Sequence, residues 1–236
     1  MLSIFHRAYR FVNSMPEGKW VRLDVDILDE FRAALLHIPF AFSNLRAPLS
    51  SSLWATDATP VSGGATVAPL AGETAAFLYS RAETRGACLR LDGDHPAAMT
   101  ERMIPIDDEV NKLVAALPWC VSASYTFRHT HHVNLQEARA VKREVRNFVS
   151  TEVRSPVRQL FVNDSQVTVA ALAKGRSSSF KLNGVLRSML PCLMVSGFVP
   201  SLIWIGTHHN PADGPSRLRC DELRPSLPRR AGRETI

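Results

Sequence analysis

The stretch RQLFVNDSQVTVAALAKGRSSS, from Arg158 to Ser179, decides how this chain reads. Gln159 to Asn163 is a short apolar-rich run around Leu160, Phe161 and Val162, which predicts a buried strand. The run ends at Asp164, and a carboxylate at the carboxyl end of a strand faces the crevice where α/β sheets place their chemistry. Ser165 caps the next segment, where Val167, Ala170, Ala171 and Leu172 fit a short helix, and Gly175 stops it. Arg176 and the serines Ser177, Ser178 and Ser179 come next. The order strand, acid, capped helix, glycine stop makes a βα unit. The plain alternative for Asp164 is a capping-region acid without chemistry.

Composition bounds the rest. A chain of 236 residues, 45% hydrophobic and 21% charged, is long enough to bury a sizeable core in one large domain with appendages. The four cysteines, Cys88, Cys120, Cys192 and Cys220, form no CxxC pair, which argues against a structural zinc site and for reduced intracellular thiols. Met1 to Val12 lacks the apolar core of a signal peptide. Met189 to Ile205 is apolar, but Pro191, Gly197 and Pro200 interrupt it, so a helix end, a turn and a strand explain it better than a membrane span. The expectation is an intracellular protein, cytoplasmic or nuclear, with no membrane partner. The net charge of +6 is uneven: residues 51–137 carry six Lys/Arg against ten Asp/Glu, and residues 138–187 carry ten against three. A basic segment beside a carboxylate-bearing one suits a polyanionic substrate handled through metal ions, although a solvated helix face would carry the same charge.

Working outward, residues 1–50 read as a helical lead-in, with Leu23, Val25, Ile27, Leu28, Phe31, Leu35 and Leu36 among acids, Pro39 as a stop, and a linker from Asn44 to Ser52. Ser51 to Leu70 reads as a hairpin in which Ser62, Gly63 and Gly64 make the turn, with Asp57 near the end of the first strand. Ala71 to Pro118 reads as an insertion or peripheral helix, periodic around Val110, Leu113, Val114 and Leu117. Trp119 to Phe127 is a strand candidate, followed by His129, His131 and His132, which read as a polar loop before a metal cluster. Asn134 and Glu137 have capping-box spacing, ahead of an apolar stripe of Ala138, Val141, Val145, Phe148 and Val149. The opposite face holds the basic row Arg139, Lys142, Arg143 and Arg146. Ser179 caps a helix bearing Leu182, Val185, Leu186, Met189 and Leu193, and Ser201 to Gly206 is a short buried strand. Asn210 with Pro211 then places Asp213 near a helix amino terminus, and a basic tail runs on from residue 219.

The acids thus come in the order Asp57, Glu137, Asp164, Asp213. Four converging carboxylates repel one another and need cations to offset this. Oxygen-only ligands select Mg²⁺ or Mn²⁺ over zinc, and two such ions can clamp the attacking and leaving oxygens of phosphodiester hydrolysis.

These motifs carry a family resemblance. TDAT with the following SGG, HHVNLQEARAV, LFVNDSQVTVAALAKGRSSS and HHNPADGPSR resemble the ribonuclease H domain of retroelement reverse transcriptases of the DIRS-like and gypsy-like kinds. That pattern is a strand with TDAS, a helix with IN-x-xE, a strand with a DN or DS pair, and a terminal ADxxSR. The likeness spans roughly residues 50–218, with residues 1–50 similar to the polymerase-to-ribonuclease connection and 219–236 a flexible basic tail.

The resemblance implies an α/β fold, a ribonuclease H-like mixed five-stranded sheet flanked by helices, with the strands of Asp57 and Asp164 adjacent at its centre. It implies that Asp57, Glu137, Asp164 and Asp213 hold two Mg²⁺ ions, with Mn²⁺ as a substitute, and that the substrate is an RNA–DNA hybrid. Asn134, Lys174, Arg176, Ser177, Ser178 and Asn210 would line the nucleic acid, and His208 or His209 matches the family's product-release histidine. No YxDD-type polymerase motif is present, so the resemblance makes the chain a fragment or separated module whose partner is an upstream polymerase domain. Asp164-Ser165 in place of Asp-Asn and the long Ala71–Pro118 segment depart from the pattern. The alternative is a catalytically inactive nucleic-acid-binding scaffold remnant. A transposase or integrase core ranks third, because those cores take their last acid, a glutamate, from a late helix.

Overall fold

Alternation decides the faces of the central strand. In β1 (Leu49–Ala58), Leu53 and Ala55 point one way and Trp54 and Thr56 the other, and all four are at most 2% exposed. A strand buried on both faces needs a layer on each side. The computed structural model of the protein, which describes residues 2–15, 18, 20–44, 46–84, 86, 104–151, 156–220 and 224–225, supplies both.

The remaining strands are β2 (Ser62–Pro69), β3 (Cys120–Thr126), β4 (Arg158–Asn163), β5 (Val199–Trp204) and a two-residue β6 (Arg224–Pro225). The helices are α1 (His6–Ser14), α2 (Val25–His37), α3 (Gly72–Ser80), α4 (Asp108–Ala116), α5 (Val133–Thr151), α6 (Gln166–Lys174), α7 (Phe180–Ser196) and α8 (Asp213–Ser216). The sheet runs β5-β4-β1-β2-β3-β6: an open mixed sheet of five strands, lengthened at one edge by the short β6. β1 and β2 are antiparallel, as are β2 and β3, while β4 is parallel to both β1 and β5.

One face packs Leu53, Ala55, Leu160, Val162 and Ile203 against Ala75 and Leu78 of α3 and Val110 and Val114 of α4. The other packs Trp54, Phe161 and Leu202 against Val141, Val145 and Phe148 of α5 and Val169 of α6. α7 covers α5 and α6 through Leu182, Val185, Leu186 and Met189. Each fully buried Phe, Leu or Val contributes about 1.5–3 kcal/mol of transfer free energy. The lead-in docks on α7 through Ile4, Ala34 and Leu190, and Glu30 of α2 accepts from the Arg7 and Ala8 amides at 2.8 and 2.9 Å, capping α1.

Several expectations hold locally. Ser165 and Ser179 accept from the amides of Thr168 and Leu182, and Gly175 and Gly197 end α6 and α7 in the left-handed conformation. Pro191 lies inside α7, and the apolar run from Met189 divides into helix end, glycine turn and β5 as expected. No helix among the described residues is long and apolar enough to cross a membrane.

Other expectations need correction. The hairpin turn is Thr59–Val61, closed by the Thr59 amide donating to the Ser62 carbonyl at 2.8 Å, so Ser62, Gly63 and Gly64 belong to β2. The linker ends earlier than Ser52, because β1 begins at Leu49. α4 is not peripheral: Val110 and Val114 are wholly buried in the main core, and Asp107 caps the helix by accepting from Glu109 and Val110. The acids of its first turn face solvent and conceal that apolar side in the sequence. Most of the basic tail and much of Ala71–Pro118 lie outside the described residues.

Candidate metal centre

Two faces of the sheet meet at the carboxyl ends of β1 and β4. Asp57 shares the side-chain direction of Leu53 and Ala55, Glu137 is the fifth residue of α5 on the other face, just past its first turn, and Asp164 follows the last residue of β4. The register pairs Ala55 with Val162, which brings Asp57 and Asp164 level. Carboxylate oxygens of Asp57, Glu137 and Asp164 lie within 4.8 Å of one another.

Each acid is oriented by a neutral donor. Glu137 accepts from the Ala58 amide at 3.0 Å and from Asn163 Nδ2 at 2.9 Å, while Asn163 Nδ2 also reaches the Thr56 carbonyl at 3.0 Å. The Ser216 hydroxyl donates to Asp57 Oδ2. Asn210 Nδ2 donates to Asp164 Oδ1 at 3.1 Å and to the Thr56 carbonyl at 3.2 Å, and the Trp204 indole holds the Asp164 carbonyl at 3.0 Å. Buried Gln136 donates to the Pro60 and His129 carbonyls, both at 3.0 Å, tying the β1–β2 turn to the start of α5.

Glu137 therefore serves the sheet and not its own helix. α5 begins at Val133, one residue before the expected cap, and His132 Nδ1 accepts from the Asn134 amide at 3.3 Å. The capping-box reading of Asn134 and Glu137 fails because the Ala58 amide and Asn163 hold the carboxylate in the interior.

Burial of like charges sets the electrostatics. Asp57, 6% exposed, is pushed up from 3.8 to about 6, chiefly by burial, against the Ser216 hydrogen bond and with the charges of Asp164 and Asp213 adding to the rise. Glu137, 4% exposed, is held well above the ordinary carboxylate range by burial and then by Asp57. Among the described residues, no Lys or Arg forms an ion pair with any of the three acids. An all-oxygen donor set, short of positive charge and held by neutral donors, fits a hard divalent cation.

Asp213 stands beside this cluster and outside it. It opens α8 and pairs with Arg217 at 2.9 Å and Arg219 at 3.7 Å. α8 starts at Asp213 and not at Pro211, and Asn210 Oδ1 accepts from the Ala212 amide at 3.1 Å. His208, Asn210 and Asp213 share a cleft of about 440 Å³ with Arg217 and Arg219, while His209 is an exposed part of the turn Thr207–His209.

Arg176, Ser177 and Ser178 lie elsewhere, lining a cleft of about 550 Å³ with His6, Tyr9 and Arg10 of α1, where the Arg176 guanidinium sits 4.1 Å over the Tyr9 ring. The Lys174 stem packs beside Gly86. His129 and His131 stack edge to face and hold no shared cluster with the acids.

Sequence reading passed over Ser216, Asn163 and Thr56 as site residues. The available signal was a polar side chain at a predicted strand end, Asn163, and the serine inside ADGPSR. The glycines of SGG have a tertiary purpose. A Cβ on Gly64 would overlap the Ser216 amide nitrogen and come within 2.6 Å of the Pro215 carbonyl carbon, so glycine lets α8 close on β2 and present Ser216 to Asp57. Comparison of the chain with family models, with curated proteins and with solved structures finds no match.

Proposed function

We propose that the protein is a divalent-metal-dependent nuclease of ribonuclease H-like fold, cutting the RNA strand of RNA–DNA hybrids as part of a retroelement reverse transcriptase. The observation that carries this reading is the convergence of Asp57, Glu137 and Asp164 within 4.8 Å at the carboxyl ends of adjacent parallel strands. The strand order β5-β4-β1-β2-β3, with the acids taken in turn from β1, the helix after β3 and the end of β4, supports it too.

Asp57, Glu137 and Asp164 would hold Mg²⁺ or Mn²⁺, with Asp213 the fourth acid once its arginines release it. When bound, such ions stabilise charge on a phosphodiester and acidify water. The chain's own contribution is preorganisation: Asn163 and the Ala58 amide fix Glu137, Ser216 fixes Asp57, and Asn210 fixes Asp164, so little reorganisation accompanies the reaction. Asn134, at the half-buried start of α5, and His208, in the cleft with Asn210 and Asp213, would meet a strand entering beside the acids. Exposed Leu35, Leu36, Ile38, Phe40 and Phe42 beside α2 support a further domain, such as a polymerase, against the lead-in.

A second reading, a binding scaffold without turnover, draws on Asp213, whose two arginine partners keep it out of the cluster. Cleavage of a labelled RNA strand in an RNA–DNA hybrid, with Mg²⁺, separates the two. The nuclease reading expects cutting by the parent that disappears with EDTA and in Asp164→Asn. Hybrid bound but uncut in both Mg²⁺ and Mn²⁺ would leave the scaffold.

A further inference from the structure

The basic row on α5 has no part in the site described above. Arg139, Lys142, Arg143 and Arg146 recur at spacings of three and four, so they share one side of the helix over about 10 Å of axis. With Phe127, Asn147 and Ser150 they line a groove of about 490 Å³ with no acidic side chain among the described residues. Among the described residues, none of the four cations forms an ion pair. Glu144 of the same helix is fully buried and does not line the groove.

Neutral partners hold two of these cations. The Arg139 guanidinium donates to Gln136 Oε1 at 3.0 Å, and the Arg143 guanidinium lies 3.7 Å from the Tyr125 ring centroid. Partly buried Lys142 has its ammonium pushed below the usual lysine range, first by burial and then by Arg146 and Arg139. Like charges three and four residues apart destabilise an isolated helix, and here Arg143 and Arg146 are exposed while Arg139 and Lys142 are half-buried. The fold gathers four positive charges here without an ion pair among the described residues.

We propose that this groove holds successive phosphates of one strand of the nucleic acid whose scissile bond lies at the acids. The inference rests on the proposed nucleic-acid substrate and extends it to a second contact. Glu137 and Arg146 stand on the same helix about 13 Å apart along its axis, the reach of about four nucleotides at roughly 3.4 Å of duplex axis per phosphate. The row lies about half a turn round α5 from Glu137, so a strand at the acids reaches it past the β1–β2 turn, where the Phe127 amide donates to the Val61 carbonyl and Gln136, which holds Arg139, donates to the Pro60 carbonyl. Phe127, half-buried at the edge of the groove, offers a ring that suits a base or sugar.

Binding of a labelled RNA–DNA hybrid, followed by fluorescence anisotropy in EDTA across a range of salt, tests this with the full chain. Each lost phosphate contact removes about 0.9 from the slope of log affinity against log salt. Lys142→Gln with Arg146→Gln should therefore flatten the slope by nearly two. Raising salt fourfold, from about 50 to about 200 mM, would then weaken the variant's binding about twelve-fold less than the parent's. The charge-keeping pair Lys142→Arg with Arg146→Lys should retain the parent slope, and thermal melting should show all three proteins folded. An unchanged slope in the glutamine pair overturns the proposal, as does displacement of the hybrid by polyglutamate or phosphatidylserine vesicles as readily as by unlabelled hybrid. The two readings fail separately. Hybrid bound through the row but uncut in both Mg²⁺ and Mn²⁺ removes the nuclease and keeps the groove, whereas hybrid cut by the glutamine pair with the parent's KM and salt slope removes the groove and keeps the nuclease.

Discussion

Removing divalent cations should make this protein less stable as pH rises, the reverse of ordinary acid denaturation. Asp57 binds its proton at about 6 in the folded chain against an ordinary 3.8. Between those values the native state holds more protons than the unfolded one, so stability falls with rising pH. It is fully present below about 4 and lost as pH passes about 6. The difference of about two units corresponds to about 3 kcal/mol, and Asp57 is only 6% exposed, so solvent screening reduces this little. Glu137 shifts in the same direction and adds to the loss. For a chain of this size, 3 kcal/mol is about 6–12 °C in Tm. The assay is thermal melting in EDTA from about pH 4 to about pH 7, parent beside Asp57→Asn, whose difference isolates Asp57 together with the part of the Glu137 shift that Asp57 causes. Divalent cation at about a hundred times its Kd should return about 2.7 kcal/mol at pH 7 and much less at pH 4. A parent curve parallel to that of Asp57→Asn, or a parent that gains on the variant with rising pH, would refute the buried-acid account of the site.

Three further outcomes rest on the packing. Gly64→Ala should cost about 1–3 kcal/mol, seen as a lower Tm, and should depress cleavage by moving Ser216 away from Asp57. Asn163→Ala should cost about 2–3 kcal/mol in urea unfolding at unchanged m, because it strips a donor from a buried carboxylate, and an unchanged midpoint would count against its role. Asp213→Asn should lower cleavage less than Asp164→Asn and leave the unfolding free energy within about 1 kcal/mol of the parent's, since its arginine pairs are partly exposed; a loss as deep as that of Asp164→Asn would place Asp213 inside the working cluster.

What the sequence made legible was local. The β4–Asp164–Ser165 unit, the caps at Ser165 and Ser179 and the stops at Gly175 and Gly197 each depend on one or two neighbours, and all form as read. The misreadings arose where a distant partner overrode a local preference. Two adjacent glycines read as a turn, yet they sit in β2 because the α8 backbone and the Tyr125 ring press on them. Glu137 read equally well as a capping-box acid until the Ala58 amide, 79 residues away, took its carboxylate. Asp213 came in the expected order, but Arg217 one turn on competes for it, which spacing alone does not weigh.

The convergence itself depends on register. Leu53 and Ala55 must face the cluster of Leu160 and Val162 while Trp54 joins Phe161 on the opposite side. A slip of one residue between β1 and β4 would exchange those faces, burying Asp57 among the side chains beneath α5 and carrying it away from Ser216. The apolar alternation of β1 and β4 is thus what specifies the site. The carboxylates raise the free energy of the metal-free fold, as the upward shifts in proton affinity of Asp57 and Glu137 indicate, and the aromatic and aliphatic residues of β1, β4 and α5 hold them there.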